Sequence, residues 1–156
     1  MRVLFLDDNE NRHKVFERNI VGTSITHVDW AQTAEKAIKY LSENPKYDII
    51  CFDHDLSEQH YTAFISDGEN ADYGDEMTGY DVAIFLITEL DEEKQPEYAI
   101  VHTFNPIGAK RITAALNEAG LQKYIYVFPF NPVHFERTIA HIESEANNGD
   151  QDSHML

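Results

Sequence analysis

The chain has 156 residues, enough for one domain with a sizeable core. Its 12 basic and 28 acidic residues give a formal charge of −16. That field opposes duplex nucleic acid and anionic membranes, yet it admits a small anionic ligand where a bound cation inverts the local sign. The single cysteine, Cys51, excludes a disulfide framework and reads as a buried, inert thiol. Asp7 and Asp8 interrupt the only early apolar run, and no segment is apolar for long enough to span a membrane, so a cytoplasmic location is expected.

Strand and helix patterns alternate along the chain. Residues 2–7 predict a first strand and 10–20 a helix that buries Val15, Phe16 and Ile20. A short strand fits 25–30. Thr33 reads as the N-cap of a helix over 34–43, which Asn44-Pro45 ends. Strand three covers 48–53. A helix over 79–91 packs Val82, Ala83, Phe85, Leu86 and Leu90, and strand four runs from Tyr98 to Thr103. Asn105-Pro106 and Asn131-Pro132 each place a capping residue before a proline suited to the first helical turn. They start helices over 106–119, stopped by Gly120, and over 132–146. Strand five, Tyr124 to Phe128, lies between them.

The expected fold is therefore α/β, a doubly wound (βα)5 parallel sheet with right-handed crossovers. Residues 1–146 form one domain, and 147–156 read as a frayed polar tail. Residues 57–78 break the rhythm. They are acidic, hold several aromatic residues and contain no Lys or Arg. A loop of this length is either an active-site flap or a flexible insertion, with His60, Tyr61 and Tyr73 as its natural ligand-facing groups.

The chemistry gathers where apolar strands run into acids. Val3-Leu4-Phe5-Leu6 leads into Asp7-Asp8, and Tyr47-Asp48-Ile49-Ile50-Cys51-Phe52 leads into Asp53-His54-Asp55. Strand C-termini in open parallel sheets form the ligand crevice. Asp7, Asp8, Asp53 and Asp55 converging there would repel one another unless a cation sat among them, so they are the candidate ligands of a divalent metal.

This pattern resembles the receiver domain of two-component response regulators. Asp7-Asp8 fall where receivers keep their acidic metal-binding pair, and Asp53 where they keep the phospho-accepting aspartate. Asp55 lies at the position whose carbonyl ligates the metal. Thr103 lies at the hydroxyl that senses the phosphoryl group, and Phe128-Pro129-Phe130 matches the Lys-Pro-Phe of strand five. The resemblance implies strand order 2-1-3-4-5 and Mg²⁺ or Mn²⁺. Phe128 replaces the lysine that pairs with the phosphoryl group, which counts against ordinary phosphorelay switching. Asp53-His54-Asp55-Leu56, Thr78-Gly79-Tyr80-Asp81 and His102-Thr103-Phe104-Asn105-Pro106 resemble a diverged branch, the cyclic-phosphate-processing receiver-like family.

That resemblance implies a metal-dependent phosphoesterase acting on a cyclic phosphate of a nucleotide or an RNA end. Asp53, His54, His102 and Thr103 are then the candidate catalytic residues. The two imidazoles serve as general base and acid. His54 reads equally as a second metal ligand or a carboxylate partner, and His102 as a structural histidine. Arg12, His13 and Asn105 are the candidate substrate contacts. The alternatives are an atypical receiver phosphorylated at Asp53, or a pseudo-receiver that binds a partner. For the latter, Phe130, Val133 and Phe135 offer a candidate homodimer contact.

Overall fold

The computed structural model describes residues 1–73, 76–119 and 124–155. Five parallel strands, β1 (Arg2–Leu6), β2 (His27–Ala31), β3 (Ile49–Phe52), β4 (Tyr98–Val101) and β5 (Tyr124–Val127), form one sheet in the order 2-1-3-4-5. The predicted architecture and strand order are both observed. Helices α1 (Glu10–Asn19) and α6 (Pro132–Met155) cover one face. Helices α2 (Ala34–Glu43), α4 (Gly79–Thr88) and α5 (Pro106–Ala119) cover the other. The three central strands are buried on both faces, which is why they read as unbroken apolar runs. Alternate residues split between two cores. Leu4, Leu6, Ile50, Phe52 and Val101 pack on α2, α4 and α5, whereas Val3, Phe5, Ile49 and Ile100 pack with Phe16, Phe135 and Ile139.

Four predicted strands ran at least one residue too far at the C-terminal end. The reason is common to all. Asp7, Asp53, His102 and Phe128 each still donate a backbone N–H to the neighbouring strand, at 2.9–3.1 Å, and, His102 apart, their carbonyls then leave the ladder. The site residues are thus tethered to the sheet by their N–H groups, and the His102 carbonyl also accepts from the Phe130 N–H at 2.9 Å, while their side chains escape the sheet.

The helix caps follow the sequence. Thr33 accepts from the Lys36 N–H, and the side-chain oxygens of Asn105 and Asn131 each accept from two N–H groups of the turn they open. Helix α4 ends at Thr88, short of the predicted 91, and begins with a capping box between Thr78 and Asp81. Helix α6 continues past 146, where the sequence reading ended it, with no proline to stop it. The predicted stop at Gly120 lies outside the described residues. Phe135 is fully buried and Val133 is exposed, so only part of the candidate dimer contact faces solvent.

The predicted 57–78 loop contains helix α3 (Glu58–Asp67), capped by Ser57, and a 3-10 turn at Gly68–Asn70. Its two ends meet where the Gly79 N–H donates to the His54 carbonyl at 2.9 Å. Among the described residues, no helix is long and apolar enough to cross a membrane.

Candidate functional site

The ends of β1, β3 and β4 deliver Asp7, Asp53 and His102 side by side, because those strands are neighbours in register. Asp7 is fully buried and all its lone pairs are used. One oxygen accepts from the Asn9 N–H and from Arg12 Nη2, both at 2.8 Å. The other accepts from Arg12 Nε at 2.8 Å and contacts His102 Nε2 at 3.0 Å. Its backbone carbonyl takes the Trp30 indole N–H at 2.7 Å. Burial pushes the Asp7 carboxyl up, but His102 and Arg12 together hold it below the usual carboxylate value.

Asp53 is different. Burial, and the charge of Asp7 beside it, push its carboxyl well above the usual value, with Arg12 and the Thr103 hydroxyl opposing. Asp8 is also raised, first by burial and then by Asp7. Arg12 Nη2 lies 3.3 Å from Asp53 and 3.6 Å from Asp8. The guanidinium therefore ties three acids together, and its face lies 5.7 Å from the Phe104 ring.

One oxygen each from Asp7, Asp8 and Asp53 lies within 4.8 Å of the others. Carboxylate oxygens at that spacing could hold a metal ion. Of the three, Asp7 is the most engaged by protein donors and Asp8 and Asp53 the least, while Asp7 fixes Arg12.

Asp55 belongs to a second cluster. Its carboxylate contacts His54 Nδ1 at 2.8 Å, and the Asn105 amide reaches its two oxygens at 3.3 and 3.4 Å. The same amide donates to the Tyr73 hydroxyl at 3.2 Å, and the Tyr73 ring meets His54 edge-on at 5.2 Å. His54 is buried below Gly108, where a Cβ would come within 2.4 Å of the imidazole.

These two clusters frame a cleft of about 480 Å³, within the range of small-ligand sites. Asp8, Arg12, Asp53, Asp55 and Thr103 line it, with Tyr61 of α3 and Phe104 opposite. The structure thus gathers most of the predicted site residues. His54 and Asn105 stand behind the wall in contact with Asp55, and His102 stands behind it in contact with the buried Asp7. His13 lies elsewhere: its ring stacks on Trp30 at 4.2 Å and its Nε2 is 3.1 Å from Glu17. Of the three ligand-facing groups expected in 57–78, only Tyr61 lines the cleft. His60 is buried, accepts from the Leu56 N–H at 3.0 Å and sits 2.9 Å from Glu76, so it anchors the insertion.

The sequence reading did not assign Trp30, Gly79 or Gly108 to the site. The two glycines matter because the backbone at the end of β3 passes directly over Gly79 and the His54 side chain over Gly108. The Phe128 ring packs edge-on against Phe135 at 5.1 Å.

His102 carries a pH dependence. Burial keeps its imidazole below the ordinary value of 6.5, although Asp7 pulls it upward. The unfolded chain therefore binds a proton there that the folded chain does not, and stability falls as pH drops below about 6.5. In His102→Gln, which keeps a donor for Asp7, the slope of urea-derived stability between pH 5 and 7 flattens by up to about 1.4 kcal/mol per pH unit. Equal slopes in the two proteins would contradict this.

The sequence profile of the cyclic-phosphate processing receiver domain matches residues 2–118. No curated protein matches the sequence. Among solved structures, a signal receiver domain from Vibrio parahaemolyticus aligns with TM-score 0.61 at 16% identity, covering 96% of this chain and 95% of its own. The Mn²⁺-bound form of response regulator Rcp1 aligns with TM-score 0.59 at 14% identity, over 92% and 91%. A CheY-like receiver domain protein from Methanospirillum hungatei JF-1 aligns with TM-score 0.56 at 15% identity, over 95% and 97%. At these identities the structural matches speak for the fold alone.

Proposed function

Since the chain belongs to the cyclic-phosphate processing receiver family, we propose that its acidic cleft opens a cyclic phosphodiester, on a nucleotide or an RNA end, with a divalent metal bound. The observation that carries this reading is the Arg12 guanidinium. It is locked by Asp7 on one side and faces Asp53 and Asp8 across the same open cleft.

In the reaction water adds to phosphorus, one ring P–O bond breaks, and the water's proton ends on the departing oxygen. Asp8 and Asp53 would hold Mg²⁺ or Mn²⁺, which when bound neutralises phosphoryl charge and polarises the phosphorus centre. Arg12 donates to a non-bridging phosphoryl oxygen, and the Thr103 hydroxyl donates to another. Asp55 accepts the proton of the attacking water and returns it to the leaving oxygen. His54 and Asn105 fix Asp55 from behind. His102 fixes Asp7 and, through it, Arg12. Both histidines are positioning residues in this scheme, because neither lines the cleft.

Phosphorus NMR of a 2′,3′-cyclic nucleotide with the protein and Mg²⁺ or Mn²⁺ is the test. Metal-dependent appearance of a phosphomonoester supports the reading, and an unchanged spectrum overturns it. Asp53→Asn should abolish turnover and the thermal shift produced by metal. Its carboxyl is raised, so its charge weighs against the fold above the unfolded value of 3.8. In EDTA at neutral pH the variant should therefore melt higher than the parent. A lower melting point would contradict that sign.

Phosphorylation of Asp53 is a second reading, favoured by Asp53 and Thr103 sharing the cleft and opposed by Phe128. A stoichiometric, base-labile acyl phosphate after acetyl phosphate treatment, read by mass spectrometry, would support it.

A further inference from the structure

A second groove adjoins the acidic cleft, between α5 and β5. Its volume is about 670 Å³. Its walls are mainly apolar, with Phe104, Pro106, Ala109, Val127 and Phe128 among them. Thr103 and Phe104 line both spaces, so the groove and the cleft share a wall. We propose that this groove receives the base of a cyclic nucleotide whose phosphate lies in the acidic cleft. The proposal rests on the cleft's binding a cyclic phosphate, and it names the class of molecule that carries that phosphate.

Four observations point to a base. Phe104 is 52% exposed although it is a large apolar ring. Aromatic rings in such positions stack on planar bases of any identity. Phe128 stands where the receiver resemblance would put a lysine, and its ring packs on His134 and Phe135 of α6, so β5 sends no cation from that position toward the acids or the groove. Thr113 also lines the groove. Lys110 and Asn117 add polar groups to the same wall. A mainly apolar slot with a few polar groups is what a heterocycle with hydrogen-bonding edges requires. Finally, a charge of −16 repels a polyanion, whereas a mononucleotide brings one phosphate charge and sets it beside Arg12.

The test uses two probes with the same five-membered cyclic phosphate: adenosine 2′,3′-cyclic phosphate, and ethylene phosphate, which has no base. Each is titrated with Mg²⁺ into protein labelled at phenylalanine rings and alanine methyls. The nucleotide should shift the Ala109 and Ala114 methyls, and ethylene phosphate should leave both unmoved. Ala114→Leu fills the groove from an exposed helical position. It should weaken nucleotide binding at least 10-fold more than it weakens ethylene phosphate binding. A nucleotide that leaves the Ala109 and Ala114 methyls unmoved, or a variant that weakens both probes equally, overturns the proposal. Turnover is read separately by phosphorus NMR. A nucleotide that shifts the groove yet stays cyclic overturns the hydrolytic reading alone. Ethylene phosphate opened while the nucleotide leaves Ala109 and Ala114 unmoved overturns the groove alone.

Discussion

Arg12→Ala should lower stability by about 3 kcal/mol, the expected result of stranding a buried carboxylate. Asp7 is fully buried, and Arg12 supplies three of the contacts on the acids around it. The side chain of Arg12 is itself one quarter exposed, so the loss falls at the lower end of what broken buried pairs show. For a chain of this size the melting temperature falls by roughly 6–12 °C. The difference should depend on pH. Asp7 titrates below its ordinary 3.8 in the folded parent, so the contribution of the pair is complete above that value. It is lost as pH falls through the folded value, and the two proteins converge in acid. Adding Asp7→Asn to the variant should recover about 2 kcal/mol, because an amide buries more cheaply than an unpaired charge. Urea unfolding of the four proteins reads these energies. A single-variant loss under about 1 kcal/mol would show that His102 and water suffice for Asp7. On the proposed function, turnover of a cyclic nucleotide falls by about 10²–10³ in the same variant.

Gly79→Ala should be at least as damaging, for a different reason. A Cβ at residue 79 would lie 1.9 Å from the Asp53 carbonyl oxygen and 2.9 Å from its carbonyl carbon. Both are backbone atoms at the end of β3 and cannot turn aside. Either α4 retreats or the strand end shifts, and the Gly79 N–H bond to His54 is lost with it. Overpacking of this kind costs about 3 kcal/mol or more. Gly108→Ala provides the contrast. Its Cβ would meet side-chain rather than backbone atoms, His54 Cγ at 2.4 Å and Cβ at 2.7 Å, so the buried imidazole gives way only as its own backbone adjusts. About 2 kcal/mol is expected there. The larger consequence of Gly108→Ala is that His54 leaves Asp55, so activity falls more than stability. Thermal melts and cyclic-nucleotide turnover of the two variants separate the cases. Similar losses of stability in both would contradict the distinction.

Much of this site was legible in the sequence because parallel strands advertise themselves. Unbroken apolar runs that stop at Asp7 and Asp53 locate two strand ends at once, and neighbouring strands put those ends together. The histidines were harder. Asp53, His54 and Asp55 follow one another beyond the ladder, where the two-residue alternation of a strand no longer tells which way a side chain points. His54 turns under Gly108, and only its partner Asp55 reaches the cleft. His102 looks like a free base in the sequence but is enclosed by Phe5, Phe130 and Phe135. Helix α3 was hidden by its acidic, weakly segregated sequence. The signal available was Ser57 as a cap followed by ten residues free of proline and glycine. His13 faced the wrong way because the helix periodicity that buries Phe16 also turns residue 13 toward Trp30.

The closure of the inserted segment at a single point has an evolutionary reading. The His54 carbonyl and the Gly79 N–H hold its two ends together whatever lies between them. Lengthening such an excursion is thermodynamically inexpensive, at about 0.6 kcal/mol for each doubling. The segment nevertheless supplies Ser57, Glu58 and Tyr61 to the wall facing Asp8 and Arg12. A lineage can therefore exchange this cassette wholesale, acquiring a new ligand preference while the acids and the sheet beneath them are inherited unaltered.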